Sequence, residues 1–134
     1  MDPELVARAR RIRLVTFDVD GVLTDGSVYV DDHGREFKRF SALDGVGMKL
    51  AMEAGIDVAW ITGSNAPNVA HRARQLGIRH VVQGADHKLP PWERLRGELG
   101  READECAHVG DDLPDVALFA RCGLAITVPD APAA

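Results

Sequence analysis

An apolar run that ends in two carboxylates one residue apart, Leu14-Val15-Thr16-Phe17-Asp18-Val19-Asp20-Gly21, is the feature that most restricts what this chain can fold into. The run reads as a buried strand, and a buried strand cannot hold unpaired carboxylates without a large desolvation cost unless a cation or hydrogen bonds compensate. In open α/β sheets, however, the carboxyl ends of the strands are where ligands bind. Gly21 then lets the chain leave the strand abruptly, because it has no Cβ to forbid unusual backbone angles. The pattern therefore predicts a strand that delivers Asp18 and Asp20 to a reaction centre.

The remainder of the chain repeats the arrangement. Residues 27–30 and 35–40 flank Asp31-Asp32-His33-Gly34 and read as a hairpin. A helix is expected over 46–53, stopped by Gly55, and a strand over 58–61 that ends at Thr62-Gly63-Ser64-Asn65. A helix over 67–76 follows, with Pro67 in its first turn and Gly77 at its end. A strand over 80–82 precedes Gln83-Gly84-Ala85-Asp86-His87-Lys88, and a helix is expected over 91–99. Residues 107–109 form another strand, ended by Gly110-Asp111-Asp112; a helix over 113–120, closed by Gly123, and a strand over 124–128 complete the series. Strands alternating with helices predict an α/β fold: a doubly wound, parallel, Rossmann-like sheet with an inserted β-hairpin. All its strands end on one side, so Asp18, Asp20, Thr62, Lys88, Asp111 and Asp112 should converge there.

Bulk properties agree with such a core. The 134 residues, 46% hydrophobic, suit a single domain spanning 1–134, and no stretch between the motifs is long enough for a second folded unit. A net charge of −5 gives no electrostatic footprint for nucleic acid, and no apolar run is long enough to cross a bilayer. A cytoplasmic location is expected, without nucleic-acid or membrane partners. The arginines at 8, 10, 11 and 13 read as a solvated helix face. Cys106 and Cys122 are too few and too far apart for a zinc cluster or disulfide scaffold and read as reduced core residues. His33, His71, His80, His87 and His108 lack metal-ligand spacing and read as surface or structural residues.

Acids, a hydroxyl and an ammonium on one rim suit a hard divalent cation together with a phosphate. Magnesium takes oxygen ligands and retains waters, so two carboxylates and a backbone carbonyl suffice. An Asp beside the metal can attack phosphorus and form an aspartyl-phosphate, while charge on the phosphoryl oxygens is met by the metal, a cation and hydrogen-bond donors.

These motifs, Asp18-Val19-Asp20-Gly21, Thr62-Gly63, Lys88 and Gly110-Asp111-Asp112 in that order, resemble the haloacid dehalogenase superfamily of phosphatases. The resemblance implies that Asp18 is the nucleophile and Asp20 the general acid and base, and that Asp18, Asp111 and the Asp20 backbone carbonyl hold magnesium. It also implies that Thr62 and Gly63 bind the phosphoryl group, that Lys88 neutralises it, and that Asp112 and Asp115 stand behind these groups, orienting water or Lys88.

Within the superfamily the chain is similar to the capless phosphatases of 3-deoxy-D-manno-octulosonate 8-phosphate, an eight-carbon sugar-acid phosphate. That likeness runs from about Arg11 to Ala131 and includes Thr24-Asp25-Gly26, Lys38-x-Phe40, Asp44-Gly45-x-Gly47 and Leu76-Gly77-Ile78. It implies no cap domain, substrate contacts from Asp44, Lys49 and Arg72, and a homotetramer in which hairpins pack together. The chain departs from the pattern at Ser41-Ala42-Leu43, where relatives have Asn-Val-Arg, and at Ser64, where they have Arg; each loss removes a guanidinium suited to bidentate carboxylate or phosphate recognition. It also stops without the relatives' Gly-Gly-x-Gly-Ala-Val-Arg-Glu tail. The alternatives are a phosphatase of a nine-carbon acylneuraminate phosphate and a non-catalytic oligomerisation or regulatory domain beside a sugar-acid cytidylyltransferase. A signalling receiver is disfavoured, because there the Lys follows the acids whereas here Asp111 and Asp112 follow Lys88.

Overall fold

A computed structural model describes residues 1–129; residues 130–134, the end of the expected domain, lie outside the described residues. Helix α1 (Pro3–Arg11) leads to β1 (Leu14–Phe17), the hairpin strands β2 (Tyr29–Val30) and β3 (Glu36–Phe37), α2 (Ala42–Glu53) and β4 (Asp57–Ile61). Then come α3 (Pro67–Leu76), β5 (His80–Val82), α4 (Leu89–Glu98), β6 (Cys106–Val109), α5 (Val116–Phe119) and β7 (Leu124–Ile126). Five strands form one sheet in the order β5-β4-β1-β6-β7, and every pairing in it is parallel. The chain winds from β1 to one edge through β4 and β5, then returns to the other side of β1 with β6 and β7. The order reverses at β1, so the crevice beyond its carboxyl end is the switch point at which such sheets bind ligands. Among the described residues there is no cap.

Alternating side chains divide the core between the two faces of the sheet. On β4, Val58 and Trp60 join Met48, Val69, Ala73 and Leu76 from α2 and α3, whereas Ala59 and Ile61 join Trp92, Leu95 and Leu118 from α4 and α5. Trp60 is fully buried, stacks on Phe40 with centroids 5.9 Å apart, and donates its indole N–H toward Met48 Sδ at 3.4 Å. Helix α1 buries none of its residues and carries Arg8, Arg10 and Arg11 in its last turn, where cations oppose the helix dipole.

Helix α3 and strand β5 have the expected bounds, and Gly77 closes α3 in the left-handed region at φ 76°. Helix α2 begins four residues before the expected start: Ser41 caps it, with Oγ 3.4 Å from the Asp44 N–H, and this start outweighs the low helix propensity of Gly45 and Gly47. The hairpin strands are only two residues each, shorter than expected, because no second layer covers Val28, Val30 or Phe37. The stretch expected to be one helix over 113–120 is a 3-10 turn, Leu113–Asp115, followed by the four-residue α5; the inward-turned Asp115 side chain takes up the preceding N–H groups. Gly123 does not cap that helix. It lies so close to the Asp104 backbone that a Cβ would collide with it, and its N–H donates to the carbonyls of Ala103 and Cys106. Strand β7 ends at Ile126, two residues before the expected bound. Cys106 is buried and Cys122 half-buried, and both are free thiols.

Candidate active site

Asp18 is the first residue past β1, and its backbone N–H donates to the Val109 carbonyl of β6 at 2.9 Å. The turn that follows is fastened by its own groups. The carbonyl of Val19 accepts from the N–H groups of Val22, Leu23 and Thr24, and Thr24 Oγ1 accepts from the N–H groups of Gly21 and Gly26. Gly21 is required twice here: it adopts φ 83°, and a Cβ at this position would strike the Asp111 carboxylate. The tight turn thus brings the loops after β1 and β6 into contact.

The expected residues Asp18, Asp20, Thr62, Gly63, Lys88, Asp111, Asp112 and Asp115 all line one cleft of about 430 Å³ at the carboxyl ends of the strands. Lys88 is buried and lies 2.9 Å from Asp18 Oδ1 and 2.9 Å from Asp115 Oδ1. Carboxylate oxygens of Asp18, Asp111 and Asp115 lie within 4.8 Å of one another. Those of Asp115 are already engaged: Oδ1 by Lys88 and by His108 Nε2 at 2.6 Å, Oδ2 by the N–H groups of Asp111 and Asp112 at 3.2 and 3.4 Å. Asp18 and Asp111 are left as the facing pair that could hold a divalent cation.

Electrostatics single out the same pair. Burial, then the hydrogen bond shared with Asp111, push the Asp18 carboxyl up from 3.8 to about 7, against the opposing pull of Lys88. A carboxyl so perturbed beside a second acid in a cleft is the environment that a bound cation relieves. Burial works against the charge on Lys88, but Asp18 and Asp115 more than offset it and hold the ammonium above its ordinary value. Burial likewise opposes ionisation of Asp115, yet the hydrogen bonds from His108 and Lys88 prevail and its carboxyl is lowered.

Thr62, fully buried at the end of β4, accepts the Ser64 N–H on Oγ1 at 3.1 Å, which leaves its hydroxyl proton free for a ligand. Gln83 ties this loop down by donating to the carbonyls of Ser64 and Ala66. At the mouth, Lys38, on the stretch leaving β3, pairs with Asp20 at 2.7 Å and is only 10% exposed. In the sequence Lys38 stands out only through the motif Lys38-x-Phe40, whose cation two residues before an aromatic is the signal that marks it.

Three expected substrate contacts lie away from the cleft. Asp44 borders an apolar groove with Val15, Leu43 and Met48. Lys49 borders another with Asp57 and His80, whose strands begin there, so it sits toward the opposite rim. Arg72 packs over Gly45, where a Cβ would crowd its guanidinium at 2.9 Å, and donates to Gln75.

A profile of haloacid dehalogenase-like hydrolases matches residues 41–123. The chain belongs to that family. This hydrolase is 41% identical over 128 residues to the 3-deoxy-D-manno-octulosonate 8-phosphate phosphatase of Yersinia pestis, an alignment covering 96% of the chain and 68% of the relative. Its fold superposes with a TM-score of 0.94 on the phosphatase of the same name from Moraxella catarrhalis, solved with magnesium, phosphate and the sugar acid KDO, at 39% identity and covering 98% and 76% of the two chains. A haloacid dehalogenase superfamily (subfamily III A) hydrolase from Legionella pneumophila gives a TM-score of 0.95 at 45% identity, covering 97% and 71%.

Proposed function

We propose that this hydrolase is a magnesium-dependent phosphatase of 3-deoxy-D-manno-octulosonate 8-phosphate that works through an aspartyl-phosphate on Asp18. The observation that carries the reading is the buried Asp18–Lys88–Asp115 chain with Asp111 facing Asp18 across the cleft. The names and bound ligands of the relatives support the substrate and the metal.

Asp18 and Asp111, with the backbone carbonyl of Asp20, are the groups that would hold magnesium, and Asp112 stands beside them at the exposed rim. When bound, the ion offsets negative charge on the phosphoryl oxygens. The Asp18 carboxylate attacks phosphorus, and the sugar oxygen leaves with a proton from Asp20. Thr62 and the Gly63 backbone orient the phosphoryl group, and Lys88 opposes its charge. In the second half-reaction Asp20 takes a proton from water, which attacks phosphorus and frees both Asp18 and inorganic phosphate. Lys38 keeps the Asp20 carboxylate at the mouth.

The proton that burial and Asp111 stabilise on Asp18 would have to leave before the carboxylate could hold magnesium, so the metal and the proton compete for it. The apparent affinity for magnesium is therefore expected to rise about tenfold per pH unit up to about pH 7 and to level off above it. Calorimetric titration across pH 5.5 to 8.5 checks this; an affinity independent of pH would contradict it.

The hairpin exposes Val28 and Phe37 at 68% and 57%, whereas Phe40 packs on Trp60 inside the chain's own core. An apolar two-stranded ribbon is marginal in water alone, and this supports a homotetramer built on the hairpins. Sedimentation of a Val28→Asp, Phe37→Asp double variant is expected to show smaller species with weakened turnover.

Leu43 and Ser64 supply no guanidinium for the substrate carboxylate, so the choice among sugar acids needs a direct test. The expected result is the highest kcat/KM on the eight-carbon acid phosphate, ahead of nine-carbon acylneuraminate phosphates and simple sugar phosphates. A preference for a nine-carbon acid would reassign the substrate.

A further inference from the structure

The mechanism above makes no use of His108, although it is the one buried histidine among the described residues. It lies on β6, where every residue is buried, three residues before Asp111, and is fully inaccessible. Burying an imidazole is costly unless its nitrogens find partners, so a position that needed only volume would be filled by an apolar side chain. Both nitrogens are engaged here. Nδ1 lies 2.7 Å from the hydroxyl of Thr16, the residue beside it on β1, and Nε2 lies 2.6 Å from Asp115 Oδ1. The Phe119 ring packs against it, with centroids 5.6 Å apart.

The hydrogen-bond directions follow from the partners. Asp115 already accepts from the Lys88 ammonium on Oδ1 and from the N–H groups of Asp111 and Asp112 on Oδ2, so it meets the ring as an acceptor and Nε2 carries the proton between them. The Thr16 hydroxyl has one proton and two candidate acceptors, Nδ1 at 2.7 Å and the Ala107 carbonyl at 3.3 Å; the shorter contact takes it, and Nδ1 accepts. Thr16 thereby selects the tautomer that binds Asp115. The same Asp115 oxygen receives Lys88, which points at Asp18, and its other oxygen receives the N–H of Asp111.

We propose that His108 is a positioning residue: its Nε2–H, selected by the Thr16 hydroxyl, fixes the Asp115 carboxylate and through it the line from Lys88 to Asp18. The proposal rests on the phosphatase reading for its effect on turnover, but its geometry can be tested without substrate. Outer partners that orient the groups of a metal-dependent site typically carry 10- to 100-fold in affinity or activity.

The test combines three variants with one spectroscopic measurement. His108→Phe keeps the aromatic volume and loses both hydrogen bonds; kcat is expected to fall about 10- to 100-fold with KM within about threefold. His108→Gln keeps an N–H donor near the Nε2 position and is expected to recover most of that loss. Thr16→Val keeps the shape of the hydroxyl-bearing side chain and is expected to lower kcat by about three- to tenfold. A ring that merely filled space would give the reverse order, with Phe near wild type and Gln impaired. Nitrogen-15 spectra of histidine-labelled wild type should show a proton on Nε2 and none on Nδ1 of His108, with that preference lost in Thr16→Val. A proton on Nδ1, or a folded His108→Phe protein with wild-type kcat, would overturn the proposal. Should His108→Phe fail to fold, equal kcat in Thr16→Val and wild type would overturn it as well. Failure of the phosphatase reading shows itself separately, as a wild type that releases no phosphate.

Discussion

Asp18→Asn is expected to abolish phosphate release, by roughly 10,000-fold or more, while leaving the protein folded. Asn preserves shape and can still accept from the Val19 N–H and Lys88, which lie 2.8 and 2.9 Å from Asp18 Oδ1. It cannot attack phosphorus or offer a metal a full charge. The substitution also has a stability signature that no activity assay gives. The Asp18 carboxyl sits at about 7 in the folded protein against 3.8 for the free residue, so the fold favours its protonated form. The stability from that proton is fully present below pH 3.8 and is lost as the pH rises through about 7. Metal-free Asp18→Asn protein should therefore match wild type near pH 4 and unfold at a higher temperature than wild type above pH 7. Paired thermal scans at the two pH values and a phosphate-release assay check both halves. Wild-type turnover in a folded variant would exclude Asp18 as nucleophile.

Asp115→Ala is expected to be the most damaging single change to stability. Asp115 is fully buried and satisfies four donors at once: the Lys88 ammonium, His108 Nε2 and the N–H groups of Asp111 and Asp112. Removing it leaves a buried ammonium with Asp18 as its remaining partner, and breaking a buried ion pair typically costs about 3–5 kcal/mol. Denaturant unfolding should show that loss, with phosphate release falling at least about 100-fold as Lys88 and Asp111 lose their support. Asp115→Asn keeps the shape and should recover part of the stability. A stability within about 0.5 kcal/mol of wild type for Asp115→Ala would remove Asp115 from the centre of the network.

What the sequence discloses about this protein follows from how local each signal is. A polar group following an apolar run is a local pattern, and it places Asp18, Thr62 and Asp111 just past strand ends and Lys88 in the loop after β5, all in one cleft. Pro67 and Gly77 punctuate α3 within a few residues of its ends and fix its bounds. Tertiary packing decided the rest. Gly45 reads as a helix breaker, but it stays inside α2 because Arg72 and Leu76 of α3 occupy the space a Cβ would take. Asp115 reads equally well as a solvated acid in the first turn of a helix; its role appears only when β6 and Lys88 close around it. His108 reads only as a surface or structural histidine, since its partners stand 92 positions back and seven ahead in the chain. The pairing of Lys38 with Asp20 spans 18 residues and depends on the hairpin folding back over the first turn.

One buried constellation, Asp18, Lys88 and Asp115 with Asp111 opposite, equips this chain as a magnesium-dependent phosphatase. The most direct test of that assignment is phosphate release from 3-deoxy-D-manno-octulosonate 8-phosphate by the purified protein, measured with magnesium, after chelation and after magnesium is restored. The predicted result is turnover with the metal, loss on chelation and recovery on restoration; turnover untouched by chelation, or no phosphate released from this substrate under any of the three conditions, would contradict the account.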